Sequence, residues 1–264
     1  MGSAATRQGV GRTAKILGYP VNLIGLEETV ALLEKLLLAA EEGEKARLRV
    51  VTLNPEMLML GQMDPRLASA LQRADLIVPD GIGIVWALRR AGHKRQQRVT
   101  GVDLVESLLT RMAPAGLKVY LLGGEPGVAE AAAAQLQNRW PQVQVVGCHH
   151  GYFAEEMSPG LIKEINAAEP ALLLAGMGVP RQETWLAEHW PALKVPLGIG
   201  VGGLLDLWAG RTVRAPRFLQ RIGLEWAFRA WKEPQRLKRL RVLPKFIWRV
   251  WREQRDPVGL GGKG

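Results

Sequence analysis

Short apolar segments alternate with amphipathic segments along most of the chain. Runs rich in Val, Leu and Ile predict buried strands, and apolar residues repeated every three or four positions predict helices. This alternation is typical of a covered parallel sheet, so we predict an α/β, Rossmann-like fold with a mostly parallel sheet and helices on both faces. The predicted strands span residues 47–53, 75–79, 118–122, 143–147, 171–175 and 195–199, and the predicted helices begin near residues 26, 55, 82, 101, 128, 158 and 182.

The pattern changes near residue 210, after which Arg and Lys become frequent. Short basic helices are predicted over residues 216–231, 235–243 and 246–252, each with apolar side chains on one side. We therefore divide the chain into four segments: a disordered N-terminus at 1–14, an α/β domain at 15–210, a basic helical appendage at 211–252 and a flexible tail at 253–264.

The positive charge of the protein is concentrated in this appendage. The 264 residues include 35 Lys and Arg against 25 Asp and Glu, which gives a net charge of +10. Residues 211–252 contain 13 of the basic and 2 of the acidic residues, so this segment carries +11 and the rest of the chain −1. Such asymmetry indicates an anionic partner.

Aromatic residues suggest where the appendage lies. Four of the nine Trp fall in it, and Trp with Arg and Lys on amphipathic helices is typical of a membrane-surface segment. A basic subdomain docked on the body, with its Trp in a core, fits the same pattern, and both interpretations stay open. The sequence has no uncharged apolar run near the roughly 18–20 residues that span a bilayer, and its N-terminus lacks an apolar signal core. We expect a cytoplasmic protein that works at the membrane face.

Polar residues and glycines follow several predicted strands. In an open parallel sheet, ligands bind outside the carboxyl ends of the strands. Asp80 is the best candidate there for a general base, because a carboxylate can accept a proton from a hydroxyl group. Turn chemistry alone favours a different role, in which Asp80 caps the following helix. The other strand-end candidates are Thr52, Asn54, and the loops at 123–127, 176–182 and 200–206.

Motifs of several other chemistries do not occur in the sequence. The loop containing Gly123 and Gly124 follows a strand and opens a helix, so its N–H groups can hold a phosphate. It does not match the G-x-G-x-x-G dinucleotide fingerprint, and no Walker A or G-x-S-x-G motif is present. No Asp-x-Asp is present to hold a divalent ion, and the adjacent His149 and His150 would point to opposite sides of a strand. We predict neither a metal nor a cofactor.

Taken together, nine ordered blocks resemble the WecG/TagA/CpsF glycosyltransferases (family 26), from about Lys15 to Arg252. The blocks are VTLNPE at 51–56, PDGIG at 79–83, RVTGVD at 98–103, LLGG at 121–124, HGYF at 150–153, GVPRQE at 178–183, GVGG at 200–203, RAP at 214–216 and GLEW at 223–226. Within GVPRQE, Arg181 stands where Lys is more usual, and the charge is kept.

The resemblance implies an activity. Members of this family transfer an N-acetylmannosamine-type sugar from a UDP-sugar to a polyprenyl-diphosphate-linked sugar, with inversion and without a metal. By resemblance, Asp80 is the catalytic base, and Thr52 and Asn54 line the same pocket. The expected substrate-binding residues are Arg98, Gln182, Gly123, Gly124, Asp206 and the appendage arginines Arg214, Arg221 and Arg229.

The resemblance also implies where the protein works and with what. The appendage is expected to help bind the diphosphate and to anchor the enzyme on the inner face of the bacterial plasma membrane. The expected partners are the UDP-sugar, the lipid-linked acceptor and the anionic membrane surface, but not nucleic acid. Assembly into a homo-oligomer stays open. The alternative is a Rossmann-like nucleotide-binding protein without transferase chemistry, whose basic tail contacts nucleic acid.

Overall fold

The computed structural model describes residues 11–216, 218–219, 225–232 and 241–255. Predictions made for residues 1–10, Arg221, the stretch 235–240 and the tail from 256 therefore lie outside the described residues.

A six-stranded sheet forms the centre of the molecule, with the strand order β4-β3-β8-β7-β5-β6. Every neighbouring pair in it is parallel, which confirms the predicted α/β class. All six predicted strands are present, with ends that differ from the prediction by two residues at most. The strands are β1 Thr13–Ile16, β2 Tyr19–Asn22, β3 Leu48–Leu53, β4 Leu76–Pro79, β5 Lys118–Gly123, β6 Gln144–His149, β7 Leu172–Gly176 and β8 Leu197–Gly200.

Helices cover both faces of the sheet because successive strand residues point to opposite sides. Val50 packs into one apolar cluster and the next residue, Val51, into another. The helices are α1 Leu26–Glu41, α2 Pro55–Gly61, α3 Pro65–Gln72, α4 Ile82–Arg90, α5 Gly101–Met112, α6 Val128–Arg139, α7 Ser158–Ala167, α8 Arg181–His189, α9 Leu204–Trp208, α10 Glu225–Lys232 and α11 Val242–Arg255. Helices α1, α5, α6 and α9 pack on the first face, and α2, α3, α4, α7, α8 and α11 pack on the second. Helices α3 and α9 were not predicted.

The N-terminal boundary was predicted too late. Strand β1 begins at Thr13 and pairs antiparallel with β2, so residues 13 and 14 belong to a hairpin and not to a disordered segment. The hairpin is fixed to the sheet, since the backbone N–H of Ile77 donates to Asn22 Oδ1 over 2.9 Å.

The last helix, α11, is longer than predicted. It starts four residues before the predicted position 246 and continues to Arg255, so the proposed tail boundary at 253 is wrong. Pro244 falls in its first turn, where the missing N–H breaks no helical hydrogen bond.

Helix α11 is docked on the body by one side only. Phe246 and Val250 are fully buried in the cluster under α2 and α4, whereas Trp248 and Trp251 are 55% and 38% exposed. Its end is also held, because Glu253 Oε2 accepts a hydrogen bond of 3.0 Å from the backbone N–H of Leu17. Both interpretations of the appendage thus find support in this helix: a docked side and an exposed aromatic side. No helix within the described ranges has the length and apolar character to cross a bilayer.

Candidate active site

The candidate site lies where β3 and β4 end side by side. The backbone N–H of Asp80 donates to the carbonyl of Leu53 over 2.9 Å, which aligns the ends of the two strands. The N–H of Val99 donates to the carbonyl of Pro79, also over 2.9 Å, and brings the segment before α5 to the same edge. Thr52, Asp80 and Arg98 therefore reach one edge of the sheet. The topology predicted this for Thr52 and Asp80, whereas Arg98 was expected from the family resemblance.

The residue at the cap position of α4 is Gly81 and not Asp80. Gly81 has φ of 79°, a conformation that favours glycine, and a Cβ there would lie 3.5 Å from Pro55. The tight turn leaves the Asp80 side chain half-buried at the sheet edge.

Thr52 and Asn54 both have structural bonds. Thr52 is 7% exposed, and its Oγ1 donates to the carbonyl of Gly200 over 3.2 Å, which ties β3 to the loop after β8. Asn54 caps α2, because its Oδ1 accepts from the N–H of Met57 over 2.9 Å. This bond occupies the amide oxygen and leaves the Nδ2 donors for other partners. Their expected catalytic role stays a prediction.

Two arginines from distant parts of the sequence are fixed near this edge. Arg98 pairs with Glu225 at the start of α10, with 3.4 Å between Nη2 and Oε2. Arg214 pairs with Asp103, with 2.5 Å between Nη2 and Oδ1, and within the described part of the chain its buried Nε has no hydrogen-bond partner. Asp103 lies in the first turn of α5, and its Oδ2 accepts from the Thr100 hydroxyl over 2.7 Å.

The remaining appendage arginines give less information. Arg229 lies in α10, and its side chain is outside the described part of the chain, as is the whole of Arg221. The ion pair of Arg98 nevertheless shows that α10 contacts the body beside the candidate site. The sequence did not indicate Glu225, because a single acid in a basic segment has no recognisable signature.

Gln182 is almost completely buried, at 1% exposure. Its Oε1 accepts from the N–H of Gly178 over 3.1 Å and from that of Gly202 over 3.0 Å, so it joins the loops after β7 and β8. Its Nε2 donates to Glu183 Oε1 over 2.7 Å. The structure thus places Gln182 behind the loops at the site and uses its amide groups within the protein.

Glu183 is a residue that the sequence did not single out. It is 2% exposed, and burial raises the pKa of its carboxyl to about 8, against the opposing effects of the Gln182 hydrogen bond, its own backbone and Arg49. A Glu in the first turn of a helix is ordinarily solvent-exposed and ionised, so only the packing of α8 against the sheet reveals this environment.

Gly123 and Gly124 serve the packing of the sheet edge. A Cβ on Gly123 would lie 2.4 Å from the carbonyl oxygen of Gly176, and a Cβ on Gly124 would lie 2.4 Å from Val128. The N–H of Gly124 donates to the carbonyl of Gly176 over 3.0 Å, so it is not free to hold a phosphate as expected. In the same loop, Glu125 pairs with Arg211 over 2.7 Å.

Asp206 lies in α9, on the chain path from β8 towards Arg214. Its carbonyl oxygen accepts from the N–H groups of Arg211, over 2.9 Å, and of Thr212, over 3.3 Å. These bonds turn the chain after the helix. A substrate-binding role for the Asp206 side chain stays a prediction.

One group of side chains in the described ranges is close enough to share a cation: Glu155, Glu188 and His189. None of the strand-end candidates belongs to it. His149 and His150 do not point apart as predicted: their rings are 4.5 Å apart, and His149 Nδ1 lies 2.7 Å from the carbonyl oxygen of His150.

A parallel sheet with a carboxylate and arginines at its carboxyl edge is typical of ligand-binding α/β proteins, and the arginines favour an anionic ligand. The family model for the glycosyl transferase WecG/TagA/CpsF family matches residues 14–258 of the chain. The match covers nearly all of the sequence, and the protein belongs to this family. It is therefore a glycosyltransferase of cell-surface polysaccharide synthesis, which uses a nucleotide-sugar donor and an acceptor. This class agrees with the predicted enzyme and not with the alternative of a nucleotide-binding protein that contacts nucleic acid.

Proposed function

We propose that the protein transfers an N-acetylmannosamine-type sugar from a UDP-sugar to a polyprenyl-diphosphate-linked sugar, with inversion and without a metal ion. The product would enter cell-surface polysaccharide or teichoic acid synthesis. The observation that supports this most directly is the position of Asp80, whose backbone is bonded to the end of β3 and whose side chain is half-buried at the sheet edge.

In the proposed reaction, the Asp80 carboxylate accepts the proton of an acceptor hydroxyl group as its oxygen attacks the anomeric carbon of the donor sugar. The bond between that carbon and the UDP oxygen breaks, and UDP leaves with the bonding electron pair. A single displacement of this kind inverts the anomeric configuration. The transferred proton remains on Asp80 until it passes to solvent.

The charge that develops on the departing diphosphate needs compensation. Arg98 and Arg214 supply fixed guanidinium groups near the same edge, each oriented by a carboxylate, and guanidinium can donate two parallel hydrogen bonds to phosphate oxygens. The buried Nε of Arg214 retains an unused donor. Arginines can thereby take the part that a divalent ion plays in other transferases.

The acceptor is proposed to be held in the cytoplasmic leaflet of the plasma membrane, with the enzyme bound at its surface. Helix α11 supports this through its exposed aromatic side, formed by Ile247, Trp248 and Trp251, and through Arg249 and Arg252 on the same helix. Cations favour anionic headgroups, and Trp favours the interfacial zone.

A donor screen tests the proposed function. The full-length protein would be incubated with a set of UDP-sugars and a short-chain diphospholipid-linked acceptor, in the presence and absence of EDTA. We expect transfer from a UDP-N-acetylmannosamine-type donor at an unchanged rate in EDTA. Loss of activity in EDTA that added divalent ion restores would reject the metal-free mechanism, and salt-sensitive binding of DNA without UDP binding would favour the nucleic-acid alternative.

A further inference from the structure

One side-chain oxygen connects two loops of the candidate site. Gln182 Oε1 accepts N–H groups from Gly178, which follows β7, and from Gly202, which follows β8. These strands are neighbours in the centre of the sheet. The spacing of the two loops at the sheet edge therefore depends on the orientation of a single amide group.

The chemistry of the donors fixes that orientation. Backbone N–H groups can only donate, so the Gln182 oxygen must face them and its NH₂ group must face Glu183. Glu183 Oε1, at 2.7 Å, must in turn act as an acceptor. If Glu183 could not accept, the buried NH₂ would lose its partner, and the amide would no longer be held in one orientation.

The surroundings leave Glu183 without strong charge compensation. Its Oε2 is buried and has no hydrogen-bond partner among the residues that the structure describes. Arg49 from β3 contributes positive charge, whereas β7 and β8 carry no ionisable side chain, and Arg66 of α3 bonds instead to Glu188. A carboxyl group in this setting is favoured in its neutral form, which can still accept through one oxygen.

The side chains of Gln182 and Glu183 also contact the end of β8, the strand that accepts a hydrogen bond from Thr52. A Cβ on Gly200 would lie 2.8 Å from Gln182 Nε2 and 3.0 Å from Glu183 Oε1, so the two side chains press against the end of β8. The carbonyl of the same glycine accepts the Thr52 hydroxyl. A displacement of Gln182 and Glu183 would thus shift Gly200 and, through its hydrogen bond with Thr52, also β3.

We propose that Glu183 is a positioning residue for the transferase site, which holds the Gln182 amide so that it fixes the loops after β7 and β8. The location of that site rests on the proposed function. Glu183 does not reach substrate in this role. It acts through Gln182, and it needs an acceptor oxygen, not a negative charge.

Two substitutions separate these requirements. Glu183→Gln keeps the shape and the acceptor oxygen without a charge, and Glu183→Leu removes the acceptor. Hydrogen–deuterium exchange of the full-length protein would be followed in peptides that cover residues 176–182 and 200–206. We expect Glu183→Leu to exchange at least about tenfold faster in both peptides and Glu183→Gln to match the parent, since one hydrogen bond of this kind is lost in the first variant only.

The matched control is Glu188→Leu, which changes the same residue type farther along α8, where Glu188 bonds to Arg66 at the surface. It should leave both peptides unchanged. If Glu183→Leu exchanged like the parent in these loops, or if Glu183→Gln loosened them equally, the proposal would be overturned.

A pH series keeps the proposal testable if Glu183→Leu does not fold. Parent and Glu183→Gln would be compared at equal pH from 6 to 9.5, so that intrinsic exchange cancels. A neutral and an ionised carboxyl group both accept through an oxygen, so we expect the loops to exchange alike in the two proteins at every pH and the ratio of their kcat values to stay constant. A parent whose loops loosen relative to the variant at the upper end of this range would show that the charge of Glu183 matters, and the proposal would be overturned.

Binding of UDP by the parent, measured by calorimetry, separates this inference from the proposed function. A parent that binds no UDP would contradict the proposed donor while leaving the exchange results valid for the loops. UDP binding together with unaltered loops in Glu183→Leu would leave the proposed function intact and remove Glu183 from it.

Discussion

At the scale of single residues, Asp80 combines a fixed backbone with a side chain at the sheet edge. Its N–H is bonded to β3, and the residue after it is a glycine with positive φ. The cap position of the following helix falls on Gly81 and not on Asp80 itself. This arrangement suits a group that must meet a substrate hydroxyl at hydrogen-bond distance.

We therefore predict that Asp80→Asn lowers kcat by at least about a hundredfold, because the amide cannot accept the hydroxyl proton. The KM for the donor should change little, and the melting temperature should stay near that of the parent. Steady-state kinetics with the proposed donor and acceptor would measure both constants.

Asp64→Asn is the matched control for this substitution. Asp64 caps α3 with Oδ1, which accepts from the N–H groups of Arg66 and Leu67, and Asn caps helices about as well. The control should keep full activity. Near-parental turnover in Asp80→Asn would remove Asp80 from the role of base.

Thr52, Asn54 and Asp80 were predictable as strand-end candidates because a parallel sheet gathers residues that follow its strands, whereas Arg98 was expected only from the family resemblance. The partners that hold them were not predictable. Gln182 and Glu183 are adjacent polar residues at the start of a helix, and their burial results from packing between α8 and the sheet. The N–H of Gly124 is occupied by Gly176, which comes from a strand about fifty residues later in the sequence.

At the scale of elements, α11 has two different sides. Phe246 and Val250 face the body, and Trp248 and Trp251 remain exposed with arginines close to their rings. Arg255 lies 3.5 Å from the centre of the Trp251 ring, and Arg252 lies 5.5 Å from that of Trp248. Cation–π contacts of this kind place positive charge beside the apolar surface that would enter the headgroup region.

We predict that the double substitution Trp248→Glu, Trp251→Glu weakens binding to anionic vesicles by at least about tenfold, since it replaces two interfacial aromatic rings with negative charge. The melting temperature of the double variant should stay near that of the parent, because neither side chain is part of the core. Co-sedimentation with vesicles that contain acidic phospholipid would measure the change.

Leu38→Glu serves as the control, because Leu38 is similarly exposed but lies on α1, on the opposite face of the sheet. It should bind vesicles like the parent. Equal binding by the double variant and the parent would exclude the aromatic side of α11 as the membrane contact.

The predicted boundaries of helices and strands agree with the structure where the apolar pattern of the sequence is strong. Helix α5 has Thr100 as its cap and α6 follows a left-handed Gly127, and both helices begin at the predicted residues. Helix α3 was missed although its Asp64–Pro65 start is a typical helix signal. Helix α11 is longer than predicted because Pro244, a residue that breaks a helix in its interior, lies in the first turn.

At the scale of the whole molecule, the free energy of unfolding should depend on pH through Glu183. Its pKa is about 8 in the folded protein against an ordinary value of 4.5, so the native state holds one more proton than the unfolded state between these values. The stability contributed by this proton is complete below pH 4.5 and is lost as pH rises through about 8.

We predict that the parent loses stability relative to Glu183→Gln by up to about 1.4 kcal/mol per pH unit within that window. Above about pH 8, the difference between the two proteins should become constant. Urea unfolding of both proteins at several pH values would measure it. A difference that does not change between pH 5 and 8 would show that Glu183 is ionised in the folded protein.

An ion pair links the basic segment to the body of the molecule. Of the two acidic residues in the basic segment, Glu225 is 8% exposed and pairs with Arg98 of the body. The basic segment is therefore tied to the site by an opposite pair of charges in a partly buried place, where screening by salt is weak. Its exposed cations remain available to phosphate groups.

The docking of Phe246 has a consequence for the order of events during synthesis. Its ring lies 3.5 Å from the place of a Cβ on Gly83, directly behind the turn that presents Asp80, and it completes the cluster formed by α2 and α4. These two helices leave the ribosome more than 150 residues before Phe246 does. The apolar surface of α2 and α4 stays uncovered until α11 has been synthesised and packs on it. The turn with Asp80 is therefore packed against Phe246 only after the residues of the exposed Trp side of α11 have also been synthesised. A nascent chain would thus complete the turn with Asp80 and the exposed Trp side of α11 in the same step.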